Sequence, residues 1–303
     1  MDKYELTEDT IQIRQKTLYR IRALRDFSNV KAGDLGGYIA SENNLSHKGN
    51  CWVYDDAIVA NNAEVSGNAR ATDNARIFDN AKVSGNAFII YNATVTGNAR
   101  VTGNARISDN ARVTDCVKVS GYASISDKAK VSGKASVTDY AIVSDNARIS
   151  DNARISDDVR ISGNARVTGH ASISNNAIVS DNARISDDAR ISGNARVTGH
   201  ARVTGHASIS NNASISDNAR ISDDARISGN AKVTDNAIVS GHASIFDNAS
   251  ISDNAKVTDN VKILNDVIIS GDVYLYENVV VCGDSLMLGY DRVGGNVRVS
   301  GQS

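Results

Sequence analysis

Residues 182–200 read NARISDDARISGNARVTGH, and residues 218–236 read NARISDDARISGNAKVTDN. The period inside both is six: Ala183, Ala189 and Ala195 recur at every sixth position, and Ile185, Ile191 and Val197 follow them two residues later. Carried outward, the same frame runs from Cys51 to residue 302 as 42 consecutive hexads with no insertion or deletion. Self-similarity at a fixed short period is the signature of a solenoid, in which each unit buries its apolar face only against its neighbours.

Within the frame, position one is Ala in 32 of the 42 hexads, and position three is Val, Ile, Leu or Met everywhere except Ala71. These positions lie on one side of an extended chain while positions two and four lie on the other, so ARIS reads as a four-residue strand with alternating sides. Asp, Gly and Asn crowd positions five and six, where they suit a corner because they tolerate left-handed backbone. Position six is expected to take that conformation. Every hexad has the same inward phase and the same corner chemistry, so the chain does not reverse in hairpins and coils in one sense. The chain contains no proline, which fits a ladder that uses its backbone donors throughout.

This pattern resembles the hexapeptide-repeat left-handed parallel β-helix. The resemblance implies an all-β triangular prism with 18 residues per coil, hence about 14 coils over residues 51–302, and at roughly 4.8 Å per coil a length of about 65 Å. The left hand follows from the resemblance alone, since ordinary parallel crossovers are right-handed. One departure is that Ser or Thr follows the aliphatic residue, where the family often has Gly.

Residues 1–50 are expected to form an amino-terminal β cap. IQIRQKTLYRIRAL (11–24) reads as strands, and GDLGGYIASENNLSHKGN (33–50) reads as a loop leading into the first coil. The stretch LYRIRALRDFSNVKAGDLGGYIASENNLSHKGNCWVYDDA (18–57) is similar to the opening of the YdcK-like hexapeptide-repeat proteins of bacteria and phages, whose transferase label rests on the repeat itself. Trp52, Tyr54, Phe88 and Ile90 fall on one face and are expected to be covered by the cap. Residues 261–303 form atypical coils: Leu264, Ile268, Tyr274, Tyr276, Val280, Leu286 and Leu288 stand at outward positions that are polar elsewhere. These are candidates for a contact surface, either with the chain's own tail, with a second copy or with a foreign protein.

Composition narrows the function. Lys and Arg number 33 against 35 Asp and Glu, a net charge of -2, so the overall basic excess of a nucleic-acid binder is missing. Cys51, Cys116 and Cys282 form neither a disulfide framework nor a zinc motif, and they fit a reducing cytoplasm. The first residues lack the apolar run of a signal peptide or membrane span. Reading every eighteenth residue places Arg112, Lys130, Arg148, Arg166, Arg184, Arg202 and Arg220 in one outward row. This is a candidate polyanion ladder, with corner acids including Asp151, Asp187 and Asp223 as candidate screens. A corner column runs His170, Asp188, His206, Asp224, His242 and reads as turn filler. Thr94 and Thr96 make the only Thr-x-Thr strand, so the threonine ladders of ice-binding solenoids are absent.

These features favour a non-enzymatic scaffold or interaction element with no cofactor, working through its terminal regions. The resemblance carries an alternative, a trimeric acyltransferase using acyl-CoA with a histidine base between subunits. For that role the chain offers His47, His170, His206 and His242 but no extruded loop. A third possibility is a phage-encoded binder of a host protein.

Overall fold

The computed structural model describes residues 2–13 and 15–301. They divide into two units with the boundary between Asp151 and Asn152. Within each unit each hexad supplies one short strand, and up to that unit's last coil it pairs in parallel, in register, with the strand three hexads later. Arg100–Val101 pairs with Lys118–Val119 in the first unit, and Arg190–Ile191 with Ser208–Ile209 in the second. Three hexads thus make one coil, and each unit is a β-solenoid with three parallel faces. Face A contains Trp52–Val53 and its equivalents in later coils, face B Ile58–Val59 and face C Glu64–Val65. In the second unit the corresponding first strands are Arg160–Ile161, Arg166–Val167 and Arg154–Ile155.

The alanines at position one are fully buried, as at Ala183, and so are the aliphatic residues at position three before the last coil, as at Val197 and Ile215, whereas Val293 and Val299 are half-buried. Before the last coils regular pairing covers only positions two and three, as in Arg184–Ile185, two residues fewer than ARIS suggests. Side chains still alternate at position four while the backbone has begun to turn. The donors at positions two, four and six nevertheless reach the next coil, as Arg184 N–H bonds Ala201 O at 2.9 Å, Ser186 N–H bonds Val203 O at 3.0 Å and Asp188 N–H bonds Gly205 O at 3.0 Å, while at position one Ala183 N–H turns back to Ser180 O at 3.2 Å.

The left-handed residue is at position five, not six: φ is 60° at Asp187, 68° at Gly205 and 59° at Asp223. A Cβ on Gly205 would stand 2.7 Å from the backbone N of Asp223. Aspartate at position five has a further use, because its carboxylate accepts the N–H of the position-five residue one coil on. Gly205 N–H donates to Asp187 Oδ2 at 3.1 Å, and Ser186 Oγ donates to the same oxygen at 3.2 Å. Position six is chosen for its side chain. Asn194 donates to Asn212, Asn212 to Asn230 and Asn230 to Asn248 at 2.8–3.0 Å, and Asn68, Asn86 and Asn104 form a similar amide row in the first unit.

The cap begins with an antiparallel hairpin, β1 (Tyr4–Ile13) and β2 (Lys16–Ala23). The stretch expected as a loop contains β3 (Leu35–Ile39), antiparallel to β2 and parallel to Ile58–Val59, followed by a 3-10 turn at Glu42–Asn44. The glycines that disguise β3 are required by close packing: a Cβ would meet Val53 O at 2.5 Å from Gly36 and Ala57 O at 2.4 Å from Gly37. Buried Asn44 ties the cap to the coil below. Its Oδ1 accepts Ser41 N–H at 2.9 Å, and its Nδ2 donates to Asn61 O at 2.9 Å and Ala63 O at 2.7 Å. Trp52 is enclosed by Phe27 and Tyr4, and Tyr54 donates to Asn29. Phe88 lies instead beneath the guanidinium of Arg106.

Candidate functional site

The ladder residues sit at position two of face B, all exposed. The first unit pairs Arg112 with Lys130 and Lys130 with Arg148; the second pairs Arg166, Arg184, Arg202 and Arg220 in unbroken succession. None of these seven cations forms an ion pair among the described residues. Asp187 and Asp223, expected as screens, direct a carboxylate oxygen to corner N–H and hydroxyl groups.

The corner histidines are not left-handed, so backbone preference does not account for them. They enter the side-chain rows of position six. His206 Nδ1 lies 3.7 Å from Asp188 Oδ2, and His242 Nδ1 lies 3.6 Å from Asp224 Oδ2, with both rings exposed. His170 Nε2 is 3.5 Å from Asn152 Nδ2 and His200 Nε2 is 3.3 Å from Asn182 Nδ2. These pairs orient imidazoles at the surface, and no described group of three His, Cys, Asp or Glu side chains could hold a metal. His47 is committed to the cap: its Nδ1 accepts Lys3 N–H at 3.2 Å and its ring stacks on Tyr4 at 4.3 Å.

Two features escaped the sequence reading. In the first unit the β1–β2 hairpin overhangs face B and encloses an open groove of about 1080 Å³, with Lys16, Leu18, Arg76, Phe78 and Thr96 among its lining. No histidine lines it. Beneath the cap, fully buried Lys3 donates from Nζ to Cys51 O at 2.8 Å and Cys51 Sγ at 3.1 Å, and lies over the Phe27 ring at 5.3 Å. Burial holds its pKa below the usual lysine value, and the nearby Cys51 partly offsets this. Long-range partners of this kind leave no periodic trace.

The outward apolar residues of the last coils are divided among the faces by the coil register. Ile268, Leu286 and Leu288 share face A and are about half exposed, at 47%, 61% and 56%. Tyr274 and Tyr276 lie on face B, with ring centroids 5.0 Å apart, and Leu264 and Val280 on face C. Among the described residues no helix is long and apolar enough to cross a membrane.

A family model described as YdcK Beta solenoid repeat matches residues 105–121, 147–161, 159–175, 183–197, 189–211 and 225–241. These stretches are similar to the YdcK β-solenoid repeat. A curated relative, "Uncharacterized acetyltransferase YdcK" from Escherichia coli, is 37% identical over 68 residues, which are 20% of this chain and 21% of that protein. The chain thus spans about a fifth of the length of the YdcK relative it matches. Among solved structures, a UDP-N-acetylglucosamine acyltransferase from Campylobacter jejuni aligns over 51% of this chain and 68% of that one, at 16% identity and a TM-score of 0.37. The Francisella novicida UDP-N-acetylglucosamine acyltransferase aligns over 61% and 65%, at 18% identity and a TM-score of 0.31.

Proposed function

We propose that the chain is a rigid β-solenoid scaffold whose specific contacts are made by its terminal regions. The observation that carries this reading is the use of the corners. Aspartate at position five and asparagine at position six spend their side chains on the next coil, and the hexads of residues 51–302 extrude no loop that would wall a cleft. Ile268, Leu286 and Leu288 on face A supply an apolar surface for a second copy of the chain. Replacing all three with serine is expected to shift the protein to the monomer in sedimentation. An unchanged association state would remove this surface from the account.

Acyl transfer from an acyl-CoA is the second reading. The name of the YdcK relative supports it, and so do the two His–Asp pairs. In that reading Asp188 and Asp224 orient His206 and His242 through Nδ1, leaving each Nε2 to take a proton from an acceptor hydroxyl or amine. The name of the YdcK relative favours acyl transfer, and the corner geometry favours the scaffold. Release of free CoA from acetyl-CoA by the purified chain, tried against a panel of amine and hydroxyl acceptors, separates them. The scaffold reading expects no release above the uncatalysed rate. Saturable release that disappears in the H206N/H242N variant would establish the second reading, since asparagine fits position six without disturbing the coil.

A further inference from the structure

Face B of the second unit pairs Arg166, Arg184, Arg202 and Arg220 directly, one against the next. The same unit avoids this arrangement elsewhere. Face C alternates Arg154, Ser172, Arg190, Ser208 and Arg226, and face A runs Arg160, Ile178, Arg196, Ser214 and Lys232. All three faces bury the same alanine and the same Val or Ile, so the fold accepts serine at position two and does not need an unbroken arginine row. Like charges at directly paired positions repel, and here they stand about 4.8 Å apart.

No side chain within the row itself offsets that repulsion. The guanidiniums make no ion pair among the described residues, and Asp187 and Asp223 hold corner donors. The row borders a shallow groove of about 320 Å³ lined by Arg166, Arg184, Arg202, Thr168, Ser186 and Thr204. Ser186 donates to Asp187. Thr168 and Thr204 precede glycine corners instead, and their hydroxyls bond no described side chain.

We propose that this face binds a linear acidic polysaccharide, a polyuronate, through its sugar carboxylates and the guanidiniums of the row. Arginine and carboxylate match as planar, two-pronged partners. A 1,4-linked chain turns as it advances, so its carboxylates come round to the row at intervals, and an unbroken row offers a guanidinium wherever one arrives. The threonine hydroxyls pair with ring hydroxyls along the groove. From Arg166 to Ser222 the strands of face B carry no Phe, Tyr or Trp, the usual platforms for the stacked bases of single-stranded nucleic acid, and the rings beside the row are the corner imidazoles of His170, His200 and His206. Asp181, Asp187, Asp188, Asp217, Asp223 and Asp224 flank the row at its two corners. A narrow chain lies between them, whereas a duplex or an anionic lipid surface meets their repulsion. The scaffold reading stands whether or not this face binds.

The test uses the full chain and end-labelled oligogalacturonate, followed by fluorescence anisotropy at low and high salt. Saturable binding that weakens with salt is expected. The double variant R184S/R220S gives face B the arginine–serine alternation that face C already folds with, and two lost charge-assisted contacts should weaken binding about tenfold or more. R190S/R226S, on face C, should bind within about twofold of the parent, as a surface change away from the site. Circular dichroism confirms that both variants fold. Parent-like affinity in R184S/R220S, equal binding of neutral dextran, or tighter binding of polyphosphate, single-stranded DNA or anionic vesicles would each overturn the proposal.

Discussion

Ser186→Pro tests whether the backbone ladder holds the second unit together. Ser186 is at position four of face B, with its side chain outward and its N–H on Val203 O at 3.0 Å. Proline deletes that donor and leaves the Val203 carbonyl without its partner, at a cost of about 3 kcal/mol. The preceding Ile185 is already extended, so no second backbone penalty is added there. Ser186→Ala keeps the donor and loses only the 3.2 Å hydroxyl bond to Asp187, worth about 0.5 kcal/mol at this exposed corner. For a unit of this size, about 2–4 °C per kcal/mol gives a drop of about 6–12 °C for S186P and about 1–2 °C for S186A. Thermal melts followed by circular dichroism read the shift, and hydrogen exchange locates it. Protection should be lost around residues 183–203 and retained in the cap. An S186P protein that melts alongside S186A would show that the ladder donors contribute little, and the reasoning from them would fail.

Replacing buried Asn44 with leucine removes the partners of Ser41 N–H and of the Asn61 and Ala63 carbonyls. At about 1–3 kcal/mol for each stranded buried group, the cap should become the first region cut by protease, while exchange in the second unit stays unchanged. Lys3 predicts a pH dependence. Because its folded pKa lies below the 10.5 of a free lysine, the unfolded chain binds more protons between those two values, and the stability of the first unit rises with pH through that window. Burial raises the Tyr4 pKa above 10.0, which works in the opposite direction above pH 10, so denaturant midpoints should be compared below it. K3M should flatten the rise, and an unchanged slope would assign it to another group.

Much of this architecture is legible in the hexad. Alanine at position one and Val or Ile at position three identify the buried positions, and the uniform phase specifies parallel coiling. The corner lies where the hexad places it, but its left-handed residue is one position earlier than expected, because Asp, Gly and Asn serve at both corner positions for different reasons. At position five they answer a backbone angle. At position six asparagine answers the amide of another asparagine one coil away, a selection visible only once coils are stacked. β3 was hidden by Gly36 and Gly37, which read as loop residues but are present because neighbouring carbonyls leave no room for a Cβ. The site features divide in the same way. The arginine row follows from arithmetic, whereas the Lys3–Cys51 contact and the stacking of His47 on Tyr4 depend on how a non-repeating cap folds back.

Every face, row and corner described above depends on one coil taking three hexads, and the chain contains a natural probe of that number. Cys116 is an exposed position-six residue, while Cys51 and Cys282 are buried. Lys134 occupies the same corner one coil later, and Lys128 is the position-six residue of a different corner, two hexads on from Cys116. K134C and K128C proteins, oxidised under the same conditions and mapped by peptide mass spectrometry, give the most direct test. The three-hexad coil predicts a Cys116–K134C cross-link and none between Cys116 and K128C; a cross-link in K128C, or none in K134C, would contradict it.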